Sequence, residues 1–96
     1  MGRWDADIEK VARSLLIYVR ENGKNGNWVR ASVAFRVAIK KHGRLEWVVY
    51  ISEKPRAKIP VTAVIKRLMK DEFRDIQRKK RGNYRGAPVF LRVRQK

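Results

Sequence analysis

The hydrophobic period of the chain changes sharply between Val19 and Trp28, and that change limits the folds open to it. Before it, Ile8, Val11, Ala12, Leu15, Tyr18 and Val19 recur at three- and four-residue spacing and make one apolar helical stripe. A helix is predicted from Asp5 to Glu21, with Asp5 or Asp7 capping its start and Gly23 in a left-handed C-terminal cap. Leu16 and Ile17 widen the apolar surface beyond one stripe, which leaves room for a partner subunit. Asn22 to Asn27 (Asn-Gly-Lys-Asn-Gly-Asn) is turn chemistry.

From Trp28 the period is two. Val29, Ala31, Val33, Phe35, Val37 and Ile39 alternate with Arg30, Ser32, Ala34, Arg36, Ala38 and Lys40, the pattern of a long half-buried strand. Leu45, Trp47, Val49 and Ile51 alternate in the same way in a second strand. A three-residue loop, Lys41-His42-Gly43, sets the register of the two: Val37 opposite Trp47, Phe35 opposite Val49, Val33 opposite Ile51. It places Gly43 where such a loop needs a left-handed residue.

Glu53 to Ile59 reads as a charged connector broken by Pro55. Pro60 then suits the first turn of a second helix running to about Arg81. Val61, Ile65, Leu68, Met69, Phe73 and Ile76 line one side of that helix; Lys66, Lys70, Arg74 and Arg78 form a basic ridge, and Gly82 stops it. After a loop at Gly82–Gly86, Pro88 to Arg94 is a third strand with Val89, Leu91 and Val93 inward. The predicted fold is therefore α+β in the order α-β-β-α-β: an antiparallel sheet with two helices on one face and a basic, aromatic opposite face. Residues 1–96 make one domain, and a chain this short buries only about 60–65% of its unfolded surface.

Charge then limits the partners. Twenty-five Lys and Arg face nine Asp and Glu, a formal net charge of +16. The excess lies almost wholly after residue 27, since residues 1–27 hold five basic and four acidic side chains. A field of this size repels itself in the folded state, and a polyanion relieves it. Nucleic acid does so with a gain in entropy, because bound cations release counterions condensed on the phosphates.

Two groups of residues carry that expectation. The outer face of the predicted sheet presents Arg30, Arg36 and Lys40, then Tyr50, then Phe90, Arg92 and Arg94, with Trp28 at its rim. Cations around aromatic rings suit single-stranded nucleic acid, whose phosphates meet the charges while unstacked bases lie on the rings. The second group is Arg78-Lys79-Lys80-Arg81 followed by Tyr84 and Arg85. Four adjacent cations exceed what a helix dipole needs at its C-terminus, so polyanion contact is expected there too. Trp47 falls on the apolar side as core, and Trp4 suits a hydrophobic staple ahead of the first helix.

Catalysis finds little support. His42, the only histidine, falls in the expected hairpin turn, and Asp71 and Asp75 can pair with Arg67 and Lys79 at four-residue spacing. No acidic cluster or Cys/His set offers a metal site, and the glycines match neither a phosphate loop nor a dinucleotide fingerprint. Neither enzyme activity nor a cofactor is expected. There is no cysteine, and no apolar run long enough to span a membrane, so a cytoplasmic protein is expected.

The layout across residues 5–94, with Trp28, Tyr50 and Phe90 set among Arg30, Arg36 and Arg92, resembles the small relatives of ThermoDBP, the single-stranded-DNA-binding proteins of thermophilic archaea. The resemblance implies single-stranded DNA bound without strong sequence preference by an oligomer whose subunits jointly enclose the strand. The Arg-, Lys- and Val-rich composition is compatible with a thermophile. A dimer or tetramer is expected, because the long first strand outruns its hairpin partner and is free to pair with a second copy. The competing readings are a structured-RNA or ribosome-associated protein, a double-stranded-DNA architectural protein, and a metal-free toxin-like ribonuclease using Tyr50, Arg36 and Arg92.

Overall fold

A computed structural model describes residues 4–51 and 54–95. The expectations for Met1 to Arg3, for Ser52 at the end of the second strand and for Glu53 at the start of the connector lie outside the described residues. The chain is α+β, and its described residues form three helices and five strands in two small antiparallel sheets.

The first helix, α1 (Asp5–Asn22), matches its predicted stripe and goes beyond it. Ile8, Val11, Ala12, Leu15, Leu16 and Val19 are all buried, while Ile17 remains 41% exposed. Leu16 is covered within the chain, because α1 is the central element and touches both other helices and the strands behind it. Its start has no side-chain cap, and Asp5 and Asp7 lie inside the first turn. Gly23 is not left-handed: its φ is −98°.

The predicted first strand is corrected. Only Val29–Arg30 is extended (β1), and Ala31–His42 is a helix, α2. The alternation misleads because two of the residues between the large apolar ones, Ala34 and Ala38, are themselves small and apolar. Ala31, Ala34, Ala38 and Ile39 fall on one helical face, and Ala34, Ala38 and Ile39 are buried while Val33 and Val37 are left exposed. Alanine is the best helix former, and its small side chain lets α2 lie close on α1. Burial of this face overrides the strand preference of the β-branched residues. His42 accordingly ends a helix instead of sitting in a hairpin, and its Nε2 shares a 2.6 Å hydrogen bond with Ser14 Oγ of α1. Gly43 has the positive φ expected of it, 76°, but as the residue that ends α2 and not in the three-residue hairpin loop, which is absent because Lys41 and His42 are helical.

The hairpin register falls with the strand. β2 (Val48–Ile51) pairs with β3 (Lys54–Ala57), taken from the expected connector: Val48 faces Ala57, Val49 faces Arg56 and Tyr50 faces Pro55. In a two-stranded ribbon both strands are edges, so the missing N–H of Pro55 is tolerated. Trp47, just before β2, is buried core as expected.

The predicted second helix is also shortened. α3 is Thr62–Lys70, and Pro60 lies ahead of its first turn. The chain leaves the helix at Asp71, turns, and becomes β4 (Ile76–Lys80). Phe73 and Ile76 still reach the core, as the stripe requires, but from outside the helix. Two causes favour the break. A helix would crowd Arg78-Lys79-Lys80-Arg81 into one turn, whereas a strand sends neighbours to opposite faces. The turn itself is held to α1: Arg20 donates from Nε and Nη2 to Asp75 at 2.9 and 2.8 Å, and Arg13 grips Glu72. The expected ridge of Lys66, Lys70, Arg74 and Arg78 does not form, since Arg74 is in the turn and Arg78 on β4. Nor do the Asp71–Arg67 and Asp75–Lys79 pairs; Arg67 reaches Glu9 instead.

β5 (Val89–Val93) matches the predicted third strand and is the centre of a sheet ordered β1-β5-β4. Leu91 lies opposite Val29 and Arg78, and Val93 opposite Ile76. This face, with Leu91 and Ile76 buried, packs on the helices. The order α-β-β-α-β and the single sheet are thus replaced by α-β-α-β-β-α-β-β. With α2 helical, a long strand no longer supplies the argument for pairing between copies. Among the described residues no helix is long and apolar enough to cross a membrane.

Candidate functional site

The outer face of the three-stranded sheet follows from the alternation of β5. With Val89, Leu91 and Val93 turned toward the helices, Phe90 and Arg92 face away. The register then fixes their neighbours: Arg30 and Lys79 flank Phe90 from the two outer strands, and Gln77 stands beside Arg92. Trp28, one residue before β1, completes the group.

These side chains interact. Lys79 Nζ lies 4.4 Å from the centre of the Trp28 ring and 5.9 Å from that of Phe90. The Arg92 guanidinium carbon lies 4.2 Å from the Trp28 ring centre, and Arg92 Nε donates to Gln77 Oε1 at 3.0 Å. Contacts of this kind are each worth about 0.5–1 kcal/mol at exposed sites. That is enough to hold the cations near the rings and too little to keep them from a phosphate. Trp28, Lys79, Phe90 and Arg81, from the turn after β4, line a cleft of about 340 Å³.

Charge is segregated around this face. Among the described residues, the ion pairs join Arg13 to Glu9 and Glu72, Arg20 to Asp75, and Arg67 to Glu9, all along α1 and residues 67–75. Hydrogen bonds from Arg20 hold the Asp75 carboxyl below its usual range, and those from Arg13 do the same for Glu72. The acids thus remain ionised and committed to cations on that side. Arg30, Lys79, Arg81 and Arg92 take part in no ion pair among the described residues.

Of the residues singled out in the sequence, Trp28, Arg30, Phe90 and Arg92 come together as expected, and Lys79 and Arg81 of the basic run join them. Others stand elsewhere. Arg36 and Lys40 are on α2, where Arg36 is half-buried and Lys40 exposed in the last turn. Tyr50 is on β2 in the second sheet, 45% exposed beside Arg44 and Lys58. Both departures follow from residues 31–42 being helical, so that the aromatic of β2 belongs to a different sheet. Arg78 and Lys80 share the register of Leu91 and Val89 and so leave β4 on the other side, exposed at the sheet edge. Tyr84 and Arg85 occupy the turn between β4 and β5, with Tyr84 60% exposed. Arg94 lies just past β5, its amide donating to the Asp75 carbonyl. The proposed ribonuclease trio, Tyr50, Arg36 and Arg92, is spread over β2, α2 and β5.

Sequence reasoning missed Gln77, Lys54 and Arg56. Gln77 was hidden inside an expected helix, and with Arg78, Lys79 and Lys80 after it no apolar alternation marks a strand there. Lys54 and Arg56 were hidden by Pro55, which reads as a strand breaker. In comparisons with known proteins, no family model, curated protein or solved structure matches this chain.

Proposed function

We propose that this chain is a non-catalytic nucleic-acid-binding protein that takes single-stranded DNA on the outer face of the β1-β5-β4 sheet. The observation that carries the reading is the grouping of Trp28 and Phe90 with Lys79 and Arg92, on a face whose described residues include no acid. Bases stack on the rings, Lys79 and Arg92 exchange ring contacts for phosphate oxygens, and Arg81 and Arg30 add further phosphate contacts. Stacking is indifferent to base identity because every base has a π-face, so sequence preference is weak. A closed duplex hides those faces and is the poorer ligand.

The likeness to the ThermoDBP relatives now rests on Trp28, Phe90, Arg30 and Arg92 alone, because its layout of elements is replaced and Tyr50 and Arg36 lie apart. Joint enclosure of a strand by several subunits, soluble cytoplasmic residence and a thermophilic source remain parts of this proposal.

The test is affinity for a single-stranded DNA, the matched duplex and the matched RNA, with wild type and Phe90→Ala. Losing one stacked base costs about 1–3 kcal/mol, so Phe90→Ala should bind single strands roughly 5- to 150-fold more weakly with an unchanged salt dependence. Equal affinity of both proteins for all three ligands would remove the reading.

A further inference from the structure

A second cluster of cations stands at the start of α2, outside the sheet face. Arg30 occupies the position just before the helix, with φ −68° and ψ 126°, and its side chain makes no capping hydrogen bond. The first turn contains no acid. This inverts the usual arrangement, in which Ser, Thr, Asp or Asn occupies that position and acids follow. The helix end itself contributes orphan N–H groups and about half a positive charge. Three further cations converge on it: Arg36 from α2, and Lys54 and Arg56 from β3. Together with Arg30, Ser32 and Phe35 they line a cleft of about 340 Å³.

Four cations and a positive helix end repel one another, and no described residue lining the cleft is acidic. Arg36 Nε is buried and has no hydrogen-bond partner among the described residues, so it meets no described acid. A single anion with several oxygens offsets the repulsion and meets the N–H groups of the helix end.

We propose that this cleft binds a phosphate group, namely an internucleotide phosphate of the strand held on the sheet face. The link is Arg30, which faces Phe90 in the sheet register and also lines the cleft. A strand stacked on Phe90 is thereby led past Arg30 to the start of α2. The source of the phosphate rests on the sheet-face reading; the phosphate chemistry of the cleft does not.

The experiment is amide and side-chain NMR of the full chain, titrated with inorganic phosphate against sodium chloride at matched ionic strength. Shifts are expected at the amides of Ala31, Ser32 and Val33, and should shrink in the Lys54→Gln/Arg56→Gln variant, whose two changes are on exposed side chains. In parallel, the affinity of that variant for single-stranded DNA is measured against salt. The slope of log K against log salt should flatten by about 0.7 for each strand phosphate lost. Phosphate shifts with an unchanged slope would assign the cleft to free phosphate and overturn its assignment to the strand. Neither shifts nor a flatter slope would overturn the proposal, while a Trp28 response to the oligonucleotide in that case would leave the sheet-face reading intact. Phosphate shifts at α2 without any oligonucleotide binding would support the cleft and sink the sheet face.

Discussion

Gly23 offers a test of how α1 is joined to the strand that carries Phe90 and Arg92. Its φ of −98° is open to any residue, so a side chain there is not strained by the backbone. Replacement by alanine even gains about 0.4–1 kcal/mol by restricting the unfolded chain. Space decides the outcome. A Cβ would stand 2.7 Å from Val19 O, 3.1 Å from Arg92 Cα and 3.3 Å from Asn27 O. All three are backbone atoms, so no side chain can swing aside. Relief requires the end of α1 to open and α1 to move off β5, and one hydrogen bond opposes each: Gly23 N–H to Val19 O at 2.6 Å within the helix end, and Val93 N–H to Gly23 O at 2.9 Å between α1 and β5. Overpacking costs about 1–3 kcal/mol, and each hydrogen bond contributes about 0.5–1.5 kcal/mol. Set against the gain, the expected net loss for Gly23→Ala is about 2 kcal/mol. In a domain of this size that lowers Tm by about 8–16 °C. Urea and thermal unfolding followed by far-UV circular dichroism measure it. Gly23→Asn sharpens the comparison, because asparagine tolerates a left-handed cap but brings the same Cβ. It should lose as much as alanine. Near-wild-type stability for asparagine, with a clear loss for alanine, would mean that Gly23 is a left-handed cap and that the close approach to β5 is absent.

Other outcomes follow from the same geometry. Ala38→Leu, on the face of α2 buried against the core, should cost about 1–3 kcal/mol in urea unfolding, whereas Val37→Leu, 39% exposed, should cost little. The reverse ranking would restore the strand. The folded carboxyls of Asp75 and Glu72 titrate below their ordinary values of 3.8 and 4.5, so their stabilising effect is complete above those values and is lost as pH falls through the lower folded ones. The urea midpoint should therefore drop below about pH 4, and less steeply in Arg20→Met, which releases Asp75. Equal slopes in both proteins would show that the Arg20–Asp75 pair does not form. Lys79→Gln should flatten the salt dependence of single-strand binding by about 0.7 in log–log slope. An unchanged slope would mean that Lys79 meets no phosphate.

The sequence reveals the parts of this fold whose period is unambiguous. The α1 stripe and the β5 alternation were legible because their polar and apolar residues differ sharply in size and polarity. The run from Ala31 to His42 was not, because alanine serves either as the inner face of a helix or as the outer face of a strand. Tertiary contact with α1 decides between them. The Phe73 and Ile76 positions were legible as core, but a helical stripe and a turn followed by a strand place them alike. What ends the helix is long-range: Arg13 and Arg20 of α1 hold Glu72 and Asp75, and β5 offers a pairing edge to residues 76–80. The candidate site shared this fate. Phe90 and Arg92 were visible from one strand alone, and Trp28 and Arg30 from the start of the next. Lys79 and Gln77 became neighbours of Phe90 and Arg92 only through a register that no local pattern contains.

The most direct test of the sheet-face claim uses the indole N–H resonances of Trp4, Trp28 and Trp47, assigned by single Trp→Phe variants. These are followed while single-stranded DNA is added at two salt concentrations. Trp47 is buried in the core and serves as an internal reference. If the strand stacks on this face, the Trp28 resonance moves to saturation at both salt concentrations and Trp47 stays in place. Binding that leaves the Trp28 resonance unmoved, and that disappears at the higher salt, would contradict the sheet-face claim and leave only phosphate contacts elsewhere on the surface.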